Sequence, residues 1–324
     1  MFFELDEQQR DFAASIDAAL GAADVPAAVR AWGGVERVAD TAPGRKIWST
    51  LADLGVTALN VPEEFDGIGA HPVDLVVALE RLGYWAVPGP IAESIAVAPV
   101  LLASDSRSEQ LAAGELIATV AHPPLTPRAL DADTAGLILL AGDGQVQDAV
   151  IAEAGAQHAS VDPARRIFDV TASGDTRSAD TAKAFEFGVL ATAAQLVGAG
   201  QAMLDMAVEY AKQRTQFGTV IGSYQAIKHK LADVHIAVEL ARPLVYGAAL
   251  ALADGSPTTA RDISAAKVAA ADAALLSARS SLQTHGAIGF TQEHDLSLLL
   301  LRTQALHSAW GDPTWHRHRV LAGL

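Results

Sequence analysis

Two long stripes of mostly apolar residues at helical spacing constrain the fold of this chain more than any other feature. Their members recur every three or four residues, which places each stripe on one face of an α-helix. A third helix is predicted from Thr259, capped together with Asp262, to Leu282, and a fourth from Asp295 to His307. Long antiparallel helices of this kind pack into a four-helix bundle. The stripes are Leu190, Ala194, Val197, Gln201, Leu204 and Val208, then Ile227, Leu231, Val234, Val238, Ala241 and Val245.

The rest of the chain divides into two further regions, which makes the predicted fold mainly α with three domains. Residues 1–112 read as an N-terminal helical domain, residues 113–182 as a small reduced β domain, and residues 183–324 as the bundle. In the middle region Gly, Pro and Asp separate short apolar runs, which is typical of strands. Helices are expected near Phe12–Leu20, Lys46–Leu54, Val73–Leu82 and Ile91–Ala103, and strands near Leu116–Val120, Gly136–Leu140 and Ala149–Ile151.

Composition excludes several classes of function. Half of the 324 residues are hydrophobic, so a large core is expected. A net charge of −15 argues against nucleic acid and anionic membranes as partners. Without cysteine, no disulfide or thiolate chemistry is available, and the ten histidines show no metal-ligand spacing. The acidic first ten residues do not resemble a signal peptide, and we expect no membrane span, because charges or helix breakers interrupt the apolar runs. The expected location is the cytoplasm.

The first motif, Arg214-Thr215-Gln216-Phe217-Gly218, follows the first stripe, and Gln225 opens the next helix. The planar guanidinium of Arg214 suits a diphosphate, which it can hold with two hydrogen bonds. Phe217 offers a flat apolar surface for an aromatic ring, and Gln225 offers both a donor and an acceptor. The structural alternative is that Arg214 favours the helix dipole and that Phe217 packs on the core.

The second motif, Gln283-Thr284-His285-Gly286-Ala287-Ile288-Gly289-Phe290, follows the third predicted helix. Its glycines allow close approach of a ligand, and successive backbone N–H groups can form a nest for phosphate oxygens. The structural alternative is a helix end that Gly286 caps without any ligand.

Together the two motifs resemble the flavin-binding signatures of the acyl-CoA dehydrogenase family. In that family an Arg-x-x-Phe-Gly loop, a Gln at the next helix start and a Gln-x-x-Gly-x-x-Gly segment reach the adenosine and pyrophosphate of FAD in the neighbouring subunit. Ala287 stands where the family usually has a second Gly. The Leu54–Gly69 and Glu80–Gly83 segments also resemble the family's N-terminal domain. The resemblance implies FAD as cofactor, with Arg214, Phe217, Gln225, Gln283, Gly286 and Ala287 as the residues that bind it.

The family's catalytic base is missing from both of its usual positions. Family members carry a Glu either nine residues after the equivalent of Arg302 or 26 residues before the equivalent of Arg214. This chain has Gly311 and Gly188 there, and neither can accept a proton. Two displaced acids, Asp312 and Glu186, are candidate substitutes, with a solvated or capping acid as the structural alternative for each. We therefore predict no catalytic residue in this chain.

The middle region also lacks the family's flavin-ring segments, since residues 113–182 contain no Trp and Thr119–Pro124 stands where a Thr-Glu-Pro-type segment belongs. The resemblance implies a complementing subunit of a heteromeric FAD-dependent acyl-CoA dehydrogenase, two copies of each chain, with a sister subunit that supplies the base. Sterol-derived CoA thioesters are the implied substrates and an electron-transfer flavoprotein the implied acceptor. The alternatives are a homomeric enzyme that uses a displaced base such as Asp312, and a flavin-free scaffold subunit.

Overall fold

The computed structural model describes residues 4–34, 39–153 and 157–324, and most of them are helical. Six helices form the N-terminal part, and a π-helix at Ala92–Val97 leads directly into the fifth. Asp6 caps the first helix with a complete capping box, in which its side chain accepts from the Gln9 N–H. The six helices are α1 Glu7–Gly21, α2 Val25–Gly33, α3 Ala42–Asp53, α4 Pro72–Tyr84, α5 Ala98–Leu101 and α6 Arg107–Ala112.

The middle region contains eight short strands in two small sheets. In the first sheet β1 pairs with β3 in parallel, and β4 pairs antiparallel with β3, β7 and β8. The second sheet has the order β2-β6-β5. The predicted β region is thereby confirmed. The strands are β1 Ala118–Ala121, β2 Ala129–Leu130, β3 Leu137–Gly142, β4 Gln145–Ile151, β5 Gln157–His158, β6 Ile167–Phe168, β7 Val170–Ala172 and β8 Arg177–Ser178.

The C-terminal part is built around one buried helix, α7, against which α4, α8, α9 and α10 pack. Gly198 of α7 lies so close to the Glu80 carbonyl of α4 that no side chain fits between them. An ion pair between Arg242 of α8 and the buried Glu80 (2.9 Å) joins α8 to α4 as well. The helices are α7 Thr181–Gln213, α8 Gln225–Ala253, α9 Thr259–His285, α10 Leu296–Ser308 and α11 Pro313–Ala322, and a hairpin of β9 Thr215–Gln216 and β10 Thr219–Val220 joins α7 to α8.

The mainly α fold and the four long C-terminal helices are confirmed, with two local corrections. Thr258, not Thr259, is the residue that precedes α9, and its hydroxyl donates to Asp262 (2.6 Å). A further helix, α11, follows these four and was not predicted. The three domain boundaries stay a prediction.

Two helices, α7 and α8, are long and apolar enough to cross a membrane, judged by length and composition. The helix breakers expected in such runs are present in α7 as glycines, but they lie inside the helix and let neighbouring elements approach. In α7, 94% of the most apolar window is buried within the molecule, so its composition is that of a core helix. The corresponding window of α8 is 33% buried, and α8 exposes Ile236, Leu240 and Leu244 along one face.

A buried lysine joins α9 to the end of α10. The Lys267 ammonium is fully buried and donates to the carbonyls of Leu306 (2.8 Å) and His307 (3.0 Å), groups that a helix C-terminus leaves without a partner. Burial lowers the pKa of Lys267 to about 7. Below that pH both folded and unfolded chains carry the proton, so the cost of burying the charge is present in full.

Between pH 7 and about 10 the unfolded chain keeps this proton while the folded chain releases it. We therefore expect the free energy of unfolding of the natural chain to rise with pH relative to Lys267→Met, by up to about 1.4 kcal/mol per pH unit. Urea unfolding of both proteins at pH 7, 8 and 9 measures the difference. Parallel pH curves for the two proteins would show that the native pKa of Lys267 is unshifted.

Candidate functional site

The two sequence motifs lie at the same end of the bundle. Because α7, α8 and α9 alternate in direction, the C-terminus of α7, the N-terminus of α8 and the C-terminus of α9 meet there. Two contacts fix this arrangement. The Tyr210 ring of α7 stacks on His285 of α9 with centroids 4.5 Å apart, and the Lys230 ammonium of α8 donates to the Gln283 side chain.

The first motif forms an exposed hairpin. The Arg214 N–H still bonds to the Tyr210 carbonyl (2.9 Å), and the chain then leaves α7 in an extended conformation. Phe217 and Gly218 both have positive φ, 54° and 82°, as a two-residue hairpin turn of the primed type requires. Phe217 is 94% exposed, so it does not pack on the core as its structural alternative proposed. Arg214 and Gln225 are exposed as well.

The second motif begins inside α9 and ends in a short 3-10 helix, Gly286–Phe290. Gly286 terminates α9 with a positive φ of 68°, and a Cβ there would meet nothing within 4 Å, so the glycine serves backbone geometry rather than packing. Gly286 and Ala287 are exposed, as are Ile288 (48%) and Phe290 (75%).

This surface offers groups that can bind a dinucleotide: a guanidinium that makes no side-chain hydrogen bond to a described residue, side-chain amides, an aromatic face and an open backbone turn. Lys230 and Phe290 are additions that sequence reasoning missed. The Lys230–Gln283 bond joins helices that periodicity treats separately, so no local signal marks it. Phe290 is the last residue of the second motif. It was missed because an apolar side chain is expected to be buried, whereas Phe290 is exposed.

This chain has glycine at both positions of the family's base, and a buried aromatic ring lies against each glycine. A Cβ on Gly188 would come within 2.5 Å of the Trp310 indole, which lies directly over it. Trp310 is 1% exposed, and its N–H donates to the Glu93 carboxylate (3.1 Å). Gly311 has a φ of 97°, and a Cβ there would approach His316 Nε2 to 2.8 Å. A longer side chain at position 188 or 311 would therefore collide with buried rings.

Both displaced acids are already engaged. Asp312 is exposed and caps α11, accepting from the Trp315 N–H (2.9 Å), and this hydrogen bond lowers the pKa of its carboxyl. A lower pKa weakens a general base. Glu186 forms a bidentate ion pair with Arg319 of α11. For both residues the arrangement is that of a structural acid.

An aromatic cluster occupies the junction of the middle region, α7 and α11. Phe185 stands at its centre, with ring centroids 5.5 Å from His122, 6.0 Å from Trp310 and 5.8 Å from Trp315. His122 belongs to the Thr119–Pro124 segment that replaces the family's flavin-ring segment. Side chains thus fill the space beside both base positions.

Two family models match this chain. Residues 6–110 match the acyl-CoA dehydrogenase N-terminal domain and residues 179–324 match the acyl-CoA dehydrogenase C-terminal domain. The chain belongs to the acyl-CoA dehydrogenase family. The matched ranges leave out residues 111–178, which include most of the middle region.

Similar proteins support the family assignment at full length. The chain is 33% identical over 280 residues to the acyl-CoA dehydrogenase IpdE2 of Mycolicibacterium smegmatis, covering 85% of this chain and 87% of that relative. The ChsE4-ChsE5 complex from Mycobacterium tuberculosis has the same fold, with a TM-score of 0.82 at 22% identity, covering 99% and 98% of the two chains. A steroid acyl-CoA dehydrogenase, Tcur3481-Tcur3483, has a TM-score of 0.84 at 20% identity, covering 98% and 97%.

Proposed function

We propose that this chain is the complementing subunit of a heteromeric acyl-CoA dehydrogenase that removes hydrogens from the α and β carbons of an acyl-CoA thioester. One observation carries the proposal: the Trp310 indole occupies the space over Gly188, at one of the two positions where the family places its base. A sister chain then has to supply the carboxylate. The sister also holds the flavin ring, because this chain has Thr119–Pro124 in place of the family's flavin-ring segment.

In this proposal the chain contributes its exposed bundle end to the FAD of the sister chain. FAD, when bound, supplies the hydride acceptor. The Arg214 guanidinium holds pyrophosphate oxygens, and Phe217 covers an aromatic ring with its exposed face. Lys230 adds positive charge beside Gln283, and the open turn at Gly286 and Ala287 presents backbone N–H groups.

The exposed apolar face of α8 supports a permanent partner. Ile236 (55% exposed), Leu240 (66%) and Leu244 (48%) form one exposed apolar stripe on α8. Monomeric proteins rarely expose a continuous apolar stripe of this kind to water. An assembly of two copies of each chain, located in the cytoplasm, covers this face. One structural relative is a steroid acyl-CoA dehydrogenase, which favours sterol-derived CoA thioesters as substrates. The family resemblance implies an electron-transfer flavoprotein as acceptor.

Purification of the chain alone and together with its sister chain tests the proposal. The chain alone is expected to be colourless and inactive, whereas the pair is expected to carry FAD and to oxidise an acyl-CoA. The visible flavin absorbance per protein and acyl-CoA-dependent reduction of an artificial electron acceptor measure both. Yellow, active protein from this chain alone contradicts the proposal and returns the function to a homomeric enzyme.

A further inference from the structure

A cavity lies between the π-helix, the middle β region and the end of α10, away from the exposed bundle end. Its volume is about 330 Å³, and its walls include Leu125, Ile167, Ala309 and the Trp310 indole. The volume suits a small organic molecule rather than a dinucleotide. None of the six predicted cofactor-binding residues contributes to it.

Arg165 lines this cavity with a buried charge that makes no direct ion pair with a described residue, although the Glu93 carboxylate on the same cavity wall is the charge that acts on it most strongly. The residue is 8% exposed, and its backbone N–H donates to the Asp162 carbonyl (3.0 Å). Within residues 4–34, 39–153 and 157–324 its guanidinium has no hydrogen bond and no ion pair. Arginine stays protonated in proteins, so this charge is present at all ordinary pH values.

The two other buried arginines of this region behave differently. Arg302, 2% exposed, pairs with Asp162 (2.6 Å) and donates to the Val87 carbonyl (2.9 Å). Arg166, 7% exposed, holds Asp133 (3.0 Å). Burial without a partner costs far more than burial with one. The fold pairs both of these charges with an acid, although Arg302 Nη2 has no partner, and it leaves Arg165 facing the cavity.

Two further polar groups on the cavity wall lack partners among the described residues. The Glu93 carboxylate is 2% exposed; one oxygen accepts from Trp310, and Oε2 has no partner. Thr126 Oγ1 is buried and also has none. Glu93 stands in the π-helix Ala92–Val97, a rare conformation that concentrates at functional sites.

We propose that this cavity binds a small hydroxylated organic acid. Arg165 and the Thr126 hydroxyl donate to the carboxylate of the acid, and Glu93 Oε2 accepts from its hydroxyl. Leu125, Ile167 and Trp310 contact its apolar body. One molecule of this kind satisfies all three unpartnered groups, each of which is costly to leave buried alone.

Titration calorimetry on the purified full-length chain tests the proposal with 4-hydroxyphenylacetate as the probe. Saturable binding is expected, together with a rise in the thermal unfolding midpoint. The neutral 4-hydroxyphenylacetamide, which keeps the shape and the hydroxyl, is expected to bind at least about tenfold more weakly, because it cannot form the charge-assisted bonds to Arg165.

Two arginine variants distinguish a direct contact between Arg165 and the acid from a general effect of positive charge near the cavity. Arg165→Gln is expected to weaken binding of the acid by about tenfold or more. Arg128 also lines the cavity, but it is exposed and pairs with Asp169 (2.9 Å). Arg128→Gln is the matched control and is expected to change affinity less than about threefold.

Stabilisation by the acid gives an independent readout. The acid is expected to raise the unfolding midpoint of the natural chain but not that of Arg165→Met, which lacks the guanidinium that holds the carboxylate. Equal stabilisation of Arg165→Met by the acid, or equal binding of acid and amide, or no saturable binding, overturns the proposal. Flavin retained by the chain alone and released by Arg165→Gln overturns it as well, since the cavity would then hold a flavin ring. FAD binding by the pair is a separate measurement, because Arg165 lies outside the half-site at the bundle end.

Discussion

In the assembled pair, Arg214→Ala is expected to weaken FAD binding about 10- to 100-fold and to lower activity at limiting FAD by a similar factor. The guanidinium is exposed at the bundle end and makes no side-chain hydrogen bond to a described residue, so its donors are available to a ligand. Removal costs two charge-assisted bonds to phosphate oxygens and leaves the fold unchanged. Titration of the FAD-free pair with FAD, followed by flavin fluorescence, measures the affinity.

Lys212→Ala is the matched control for this prediction. Lys212 carries the same charge two residues earlier, is exposed, and lies 3.8 Å from Glu209 of its own helix. Its loss is expected to change FAD affinity less than about threefold, because an exposed charge outside the site is screened. Arg214→Lys should recover only part of the affinity, since an ammonium lacks the planar fork. Unchanged FAD content in the Arg214→Ala pair would favour the flavin-free scaffold instead.

The bundle was predictable from the sequence because its signal is local and repeated. The stripes at Leu190–Val208 and Ile227–Val245 recur every three or four residues, so the sequence itself indicates which face of each helix is buried. The helix α11 was missed because His316, Arg317, His318 and Arg319 break any apolar periodicity. Its start signal was present nonetheless, since Asp312 is an N-cap and Pro313 occupies the first turn.

The site was predictable only as far as its motifs are local. Arg214, Phe217 and Gln225 fall in one loop and helix start, so the sequence places them together. The Lys230–Gln283 bond and the Trp310 ring over Gly188 join residues far apart in the chain, and no spacing rule reports such contacts. The unpartnered guanidinium of Arg165 is likewise invisible in sequence, because Arg165 and Arg166 look alike there and differ only in their neighbours.

Trp310→Ala is expected to lower the free energy of unfolding by about 3 to 5 kcal/mol, since it empties a fully buried ring position. Gly188→Ala alone is expected to cost about 1 to 3 kcal/mol, because its new methyl group would meet that ring at 2.5 Å. In the double variant the methyl group enters the vacated space, and alanine is the better helix former. The double variant is therefore expected to be more stable than the sum of the two single losses predicts, by roughly 1 to 3 kcal/mol.

Gly200→Ala provides the control for this cycle, because it lies in the same buried helix but a Cβ there meets nothing closer than 3.4 Å. Its effect is expected to add to that of Trp310→Ala without coupling. Denaturant unfolding of the six proteins, including the natural chain, measures both cycles. Coupling at Gly188 but not at Gly200 means that Trp310 fills the space a base would need, so catalysis by this chain requires a carboxylate from outside it. If the losses from Gly188→Ala and Trp310→Ala are additive, the Trp310 ring does not lie over Gly188. The complementing-subunit proposal then loses the observation on which it depends.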